Sequence, residues 1–119
     1  MIMRNASIQD LQAQLRQFAD ERDWAQFHTP KNLTIALSVE CGELLEHFQW
    51  LTDAQSADLP ADQKQEVAME LADVFLYLLR LADQINVDLV DAAEQKLAIN
   101  AERYPVSKAK GNARKYDRL

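Results

Sequence analysis

The chain has 119 residues and a mass of 13.6 kDa, with 48% hydrophobic and 27% charged residues; that suits one core in a single domain over residues 1–119, leaves no room for a second, and excludes wholesale disorder. Two Gly and three Pro are too few for a turn-rich β-sandwich or barrel and leave an all-α protein. The net charge of −6 has the wrong sign for gripping nucleic acid by its phosphates, and points the acids toward a cation instead.

Met1 to Asn5 lead into polar sequence with no apolar leader, and no stretch reaches the roughly 18 apolar residues of a membrane span, so no membrane partner is expected and cytoplasm is the expected location. The single cysteine, Cys41, fits a reducing compartment and excludes an internal disulfide. The first helix opens at Ser7, an N-cap with Asp10 three residues on, carries Ile8, Leu11, Leu15 and Phe18 at helical spacing, and ends near Arg22. An irregular segment follows, Asp23 to Pro30, with Trp24, Phe27 and His28 on it, Thr29 as a cap and Pro30 at the first helical position. The second helix is predicted from Pro30 to Leu51, a loop from Thr52 to Pro60, a third and most apolar helix from Ala61 to Asn86, and a fourth from Leu89 to Arg103, which Tyr104-Pro105 stops. The helical core thus covers about 7–104. The tail, 105–119, holds Lys108, Lys110, Arg114, Lys115 and Arg118, five of the thirteen basic residues.

On the third predicted helix Glu66, Glu70, Asp73, Tyr77 and Arg80 recur at steps of 4, 3, 4 and 3, which at about 100° per residue keeps them on one strip roughly 60° wide. A charge strip is ordinarily a solvated face. Here Met69, Val74, Leu76 and Leu81 flank it and Leu71, Phe75, Leu78 and Leu79 fill the back, so the helix is expected to be mostly buried and its carboxylates to sit in a narrow cleft. The second helix offers a matching strip, Glu40, Glu43, His47 and Trp50. If the two helices pack antiparallel, Glu40 and Glu43 face Glu70 and Asp73, and four acids so placed need a cation to stay charged. All-oxygen ligands suit a hard ion, Mg²⁺ with Mn²⁺ as substitute, and Mg²⁺ held by carboxylates commonly takes substrate phosphates. A di-iron bundle is the rival metal reading, but it wants two Glu-x-x-His motifs, whereas His47 stands four residues after Glu43. Outside metal chemistry the alternative is a non-catalytic helical oligomerisation module whose acids are simply solvated.

Glu40-Cys41-Gly42-Glu43, twenty-six residues, then Glu70-Leu71-Ala72-Asp73 resembles the E-x-x-E…E-x-x-D signature of the MazG-like all-α nucleoside triphosphate pyrophosphohydrolases. Glu21 to His28, Asn32-Leu33, Glu46 to Trp50, Asp73 to Leu78, Arg103 to Val106 and Lys115-Tyr116 are together similar to the dCTP pyrophosphatase branch. The resemblance implies a four-helix fold assembling as a homotetramer, a dimer of dimers with sites near subunit interfaces. It also implies Mg²⁺-dependent conversion of a dNTP, dCTP or a modified dCTP, to the monophosphate and pyrophosphate, as nucleotide-pool house-cleaning. It makes Glu40, Glu43, Glu70 and Asp73 the catalytic metal ligands, puts the base against Trp24, His28, Trp50 and Tyr77, and assigns Lys96, Asn100 and Arg103 to the phosphates. Stacking between rings is worth roughly 1–3 kcal/mol per base. Where the eukaryotic dCTP enzymes carry a histidine on the first helix, this chain has Leu15, which offers the base no hydrogen bond and leaves a broad-range or dUTP-directed enzyme as the alternative.

Overall fold

The computed structural model describes residues 6–119; the reading of Met1 to Asn5 lies outside the described residues. Helix is the only regular structure among them: α1 (Ile8–Glu21), a 3₁₀ turn (Ala25–Phe27), α2 (Pro30–Glu46), α3 (Asp53–Ser56), α4 (Ala61–Gln84), α5 (Leu89–Arg103), α6 (Val106–Ala109) and a last 3₁₀ turn (Tyr116–Arg118). They fall into two compact units, one ending at Asn86 and one running from Val87 to Leu119. No helix among the described residues is long and apolar enough to cross a membrane.

Local chemistry sets most of the boundaries where the sequence placed them. Ser7 Oγ accepts from the Asp10 N–H while Asp10 accepts from the Ser7 N–H, a reciprocal cap that starts α1. After Arg22 the chain takes a left-handed turn at Asp23 (φ 54°), a conformation that Asp tolerates better than most residues. Trp24 then donates its N–H back to the Ala19 carbonyl at 2.8 Å. Thr29 Oγ1 accepts from the Asn32 N–H at 3.1 Å, with Pro30 at the first helical position of α2.

Three boundaries differ from the sequence reading. α2 ends at Glu46, five residues early, because His47, Phe48 and Leu51 donate to carbonyls three residues back (2.9–3.2 Å) and the chain tightens into turns. The predicted loop contains α3, opened by a second reciprocal cap in which Thr52 and Gln55 exchange bonds of 3.0 and 3.1 Å; Thr-x-x-Gln is a capping-box pattern that marks such a start. α4 ends at Gln84, since Asn86 is left-handed (φ 56°) and cannot continue a helix.

Two sets of side-chain bonds give the packing of the first unit. Gln12 Nε2 donates to the Leu79 carbonyl at 3.0 Å, and Arg16 Nη1 donates to both Asp83 oxygens at 2.7 and 2.8 Å. Both pairs are 67 residues apart, so α1 runs parallel to α4. His28, just before α2, meets Arg80 and Gln84 near the end of α4, whereas Glu40 and Glu43, further along α2, meet Glu70; α2 is therefore antiparallel to α4. Ala19, Leu33, Val67, Leu79 and Ala82 form the buried core between them. α4 is not the mostly buried helix the sequence suggested. Helices α1 and α2 cover only part of its circumference, and Met69, Leu71 and Phe75 keep 55, 51 and 40% of their surface.

In the second unit, Asp88 caps α5 by accepting from the Asp91 N–H at 3.0 Å. The basic tail turns back onto the end of that helix. Tyr116 meets Tyr104 edge-on at 6.2 Å between ring centroids, and the Arg103 guanidinium lies 4.5 Å from the Tyr116 ring centre.

Leu79 is fully buried where α1 meets α4. Leu79→Ala should lower the unfolding free energy by about 2–5 kcal/mol, read from urea denaturation, because the cavity cannot close in a packed core.

Candidate active site

Glu40 and Glu43 stand three residues apart on α2 and Glu70 stands on the facing strip of α4, so antiparallel packing brings them to one point. One carboxylate oxygen from each lies within 4.8 Å of the others. Two of the oxygens, Glu40 Oε2 and Glu70 Oε2, are buried with no hydrogen-bond partner. Burial first, then hydrogen bonding and charge from Glu43, the charge of Asp73 and a hydrogen bond with Glu70, push the Glu40 carboxyl up from 4.5 to about 7. Asp73 thus acts on the cluster through its charge while standing outside the close group of three. Glu66, on the same strip, is exposed. Orphaned carboxylate oxygens crowded among like charges are a donor set for a hard divalent cation, which would neutralise the repulsion and fill the missing bonds.

Beside the acids lies a cavity of about 500 Å³, within the usual range for small-molecule sites. α1 contributes Leu11, Gln14, Leu15 and Phe18, the irregular segment Trp24 and His28, and α4 Asp73, Leu76, Tyr77 and Arg80. Trp24 packs edge-on against Phe18 (5.6 Å, 72°) and His28 (6.3 Å, 63°). The segment carrying Trp24 and His28 is tied down along its length. Asn32 Nδ2 donates to the Phe27 carbonyl at 3.0 Å, Gln84 Nε2 to the His28 carbonyl at 3.1 Å, and Arg80 Nε to His28 Nδ1 at 3.3 Å. Burial, with the Arg80 charge as the second cause, lowers the His28 ring's pKa from its ordinary value and favours the neutral ring.

Of the residues singled out from sequence, the structure gathers Glu40, Glu43 and Glu70 into the acid group, and Trp24, His28, Tyr77 and Asp73 into the cavity wall. It does not gather Trp50. Trp50 lies in the turns after α2, is 87% exposed, and is not among the residues that line the cavity. Lys96, Asn100 and Arg103 are on α5 in the second unit, where Arg103 is engaged with Tyr116. Sequence reasoning gave no role to Arg80, which is only 6% exposed; the available signal was a cation ending an acidic strip with apolar flanks. Gln14 and Phe18 were also missed as wall residues, although with Leu11 and Leu15 they make one face of α1.

The MazG-like family model matches residues 35–119. Over 115 residues the chain is 44% identical to dCTP pyrophosphatase 1 of Rattus norvegicus and 43% identical to that of Homo sapiens, spanning 95% of this chain and 68% of each of those proteins. The fold is similar to the crystal structure of a pyrophosphatase from Archaeoglobus fulgidus, with a TM-score of 0.79, 37% identity, and coverage of 88% of this chain and 98% of that one.

The raised Glu40 carboxyl makes a signed prediction for the metal-free protein. The folded state holds this proton more tightly than the unfolded chain, so stability is greatest below about 4.5 and falls as pH rises through about 7. In EDTA, the melting temperature should fall relative to Glu40→Gln as pH is raised from 5 to 8 (roughly the span of this titration). Parallel curves for the two proteins would show that the acid crowding is relieved in some other way.

Proposed function

Starting from the fact that this chain belongs to the MazG-like family, we propose that it is a nucleoside triphosphate diphosphatase acting on dCTP or a modified dCTP, releasing dCMP or its analogue and pyrophosphate, and so clearing the nucleotide pool. One observation carries the reading. Asp73 lies on the wall of the aromatic cavity and also acts by its charge on the Glu40 carboxyl, so a base in the cavity has its phosphates next to the acids. The 41–44% identity to proteins that are dCTP pyrophosphatases supports the same substrate.

In this proposal Glu40, Glu43, Glu70 and Asp73 hold Mg²⁺, with Mn²⁺ as substitute. Bound there, Mg²⁺ supplies charge neutralisation on the phosphate oxygens and a lowered pKa for the attacking water. The protein does the rest. The carboxylates would fix where the cation, and with it the triphosphate, lies, and a carboxylate oxygen left free accepts a proton from the water. Trp24 and Tyr77 stack on the base, and the apolar wall of Leu11, Leu15 and Leu76 excludes water around it. The phosphate role of Lys96, Asn100 and Arg103 rests on the resemblance alone. Residues 1–119 working as one domain rests on chain length and composition, and the cytoplasmic location on the single cysteine; the homotetramer built as a dimer of dimers rests on the resemblance, although the exposed Met69, Leu71 and Phe75 favour an assembly. Trp50, exposed and off the cavity wall, would reach a base only in such an assembly.

A second reading, the same reaction with a broader or dUTP-directed base preference, is favoured by Leu15, an apolar residue on the wall where hydrogen bonding would discriminate between bases.

The test is pyrophosphate release from the canonical dNTPs and NTPs and from 5-substituted dCTPs, with Mg²⁺ and with EDTA. Mg²⁺-dependent release strongest with cytosine nucleotides is expected; even release across bases would favour the second reading, and none at all would favour a non-catalytic helical module. Glu40→Gln and Asp73→Asn should each lower kcat by about 100-fold or more, as loss of a preorganised charge in a reacting site does, with unchanged circular dichroism. Trp24→Ala should raise KM by roughly five- to a hundredfold with a smaller change in kcat, the signature of lost ground-state stacking at about 1–3 kcal/mol per base.

A further inference from the structure

We propose that Arg80 is a positioning residue for substrate recognition: by donating its Nε–H to His28 Nδ1 it fixes the imidazole as the Nε2–H form and so presents a single hydrogen-bond donor to an acceptor on the base in the cavity. The inference rests on the nucleotide reading above for the identity of the ligand, but not for the imidazole geometry.

The geometry is specific. Neutral histidine has one donor and one acceptor nitrogen, and the hydrogen bond made by one nitrogen decides the role of the other. Arg80 has no acceptor atom and cannot lose its proton, so His28 Nδ1, 3.3 Å from Arg80 Nε, must be the accepting nitrogen. That leaves Nε2–H as the ring's only donor, on a residue that lines the cavity. The remaining side chains of the wall are largely apolar or aromatic; beside this pair only Gln14, Asp73, the Tyr77 hydroxyl and the Trp24 indole N–H are polar, so a donor held in one orientation carries weight in choosing a base. A pyrimidine carries a ring carbonyl oxygen that can accept from it.

The guanidinium is itself held. Arg80 Nη1 lies 3.7 Å from Asp83 Oδ2, and the same carboxylate takes two bonds of 2.7 and 2.8 Å from Arg16 on α1. The His28 backbone carbonyl is anchored separately by Gln84, one turn beyond Arg80 on α4. Side chain and backbone of His28 are therefore gripped by the same helix, which leaves the ring little freedom to turn over. A buried cation at 6% exposure is costly to keep unless it is paired, and here the His28 bond and the Asp83 carboxylate pair it.

The experiment is ¹⁵N NMR of the His28 imidazole in the wild-type chain and in Arg80→Met, together with steady-state kinetics on dCTP. Asp83 keeps its two bonds to Arg16 in the variant, so a folded protein is expected. The wild-type spectrum should show Nδ1 unprotonated and Nε2 protonated. In Arg80→Met the Nδ1 resonance should move as the accepted bond is lost, with KM rising roughly three- to tenfold and kcat nearly unchanged, the range for one lost hydrogen bond. A proton on Nδ1 in the wild type, which needs no variant to observe, overturns the proposal. So does an Arg80→Met protein with the wild-type Nδ1 resonance, or with unchanged KM. A chain with the Nε2–H ring but no turnover of any nucleoside triphosphate would overturn the role in substrate recognition and the functional reading with it, while confirming the fixed ring.

Discussion

The repulsion among Glu40, Glu43 and Glu70 is the constraint around which this fold is arranged. Packing α2 antiparallel on α4 buries apolar surface, yet the same packing forces three carboxylates together and leaves two of their oxygens buried without a partner. A structural core would remove such a cluster, since buried unpaired acids cost several kcal/mol. Burial, with the crowding of these acids, pushes the Glu40 carboxyl up to about 7.

The rest of the first unit keeps that arrangement in place and gives it a neighbour. α1 lies parallel to α4 through Gln12 and Arg16, and in doing so supplies the far wall of the cavity. The turn after α1 sends Trp24 and His28 across to α4, while the caps at Ser7 and Thr29 fix where each helix begins. Acid cluster and aromatic cavity thus share α4, and Asp73 belongs to the wall of one and the field of the other.

Much of this was legible because it is written in local spacing. Steps of 3 and 4 placed Glu40 with Glu43 and Glu70 with Asp73 on single faces, and caps at Ser7 and Thr29 announced the helix starts. What the sequence hid depended on where the chain stops being helical and on what packs against what. No Gly or Pro marks the end of α2, so the strip seemed to run on through His47 to Trp50, and the ring that looked like a wall residue is exposed. Arg80 was visible as a residue of the strip but not as a partner, because its partner comes from a segment 52 residues earlier. The burial of α4 was overread for a related reason: a helix apolar on nearly every side says that cover is needed, not that one chain supplies it.

The segment between α1 and α2 is irregular in backbone yet held at the Trp24 amide, the Phe27 carbonyl, and both the backbone and ring of His28. Its ordering entropy is therefore settled during folding and not when a ligand arrives. A molecule entering the cavity meets a wall of fixed shape and gains the full value of its contacts. The same ties limit forgiveness: a larger ring system would fit only by breaking the bonds that hold Phe27 and His28 in place.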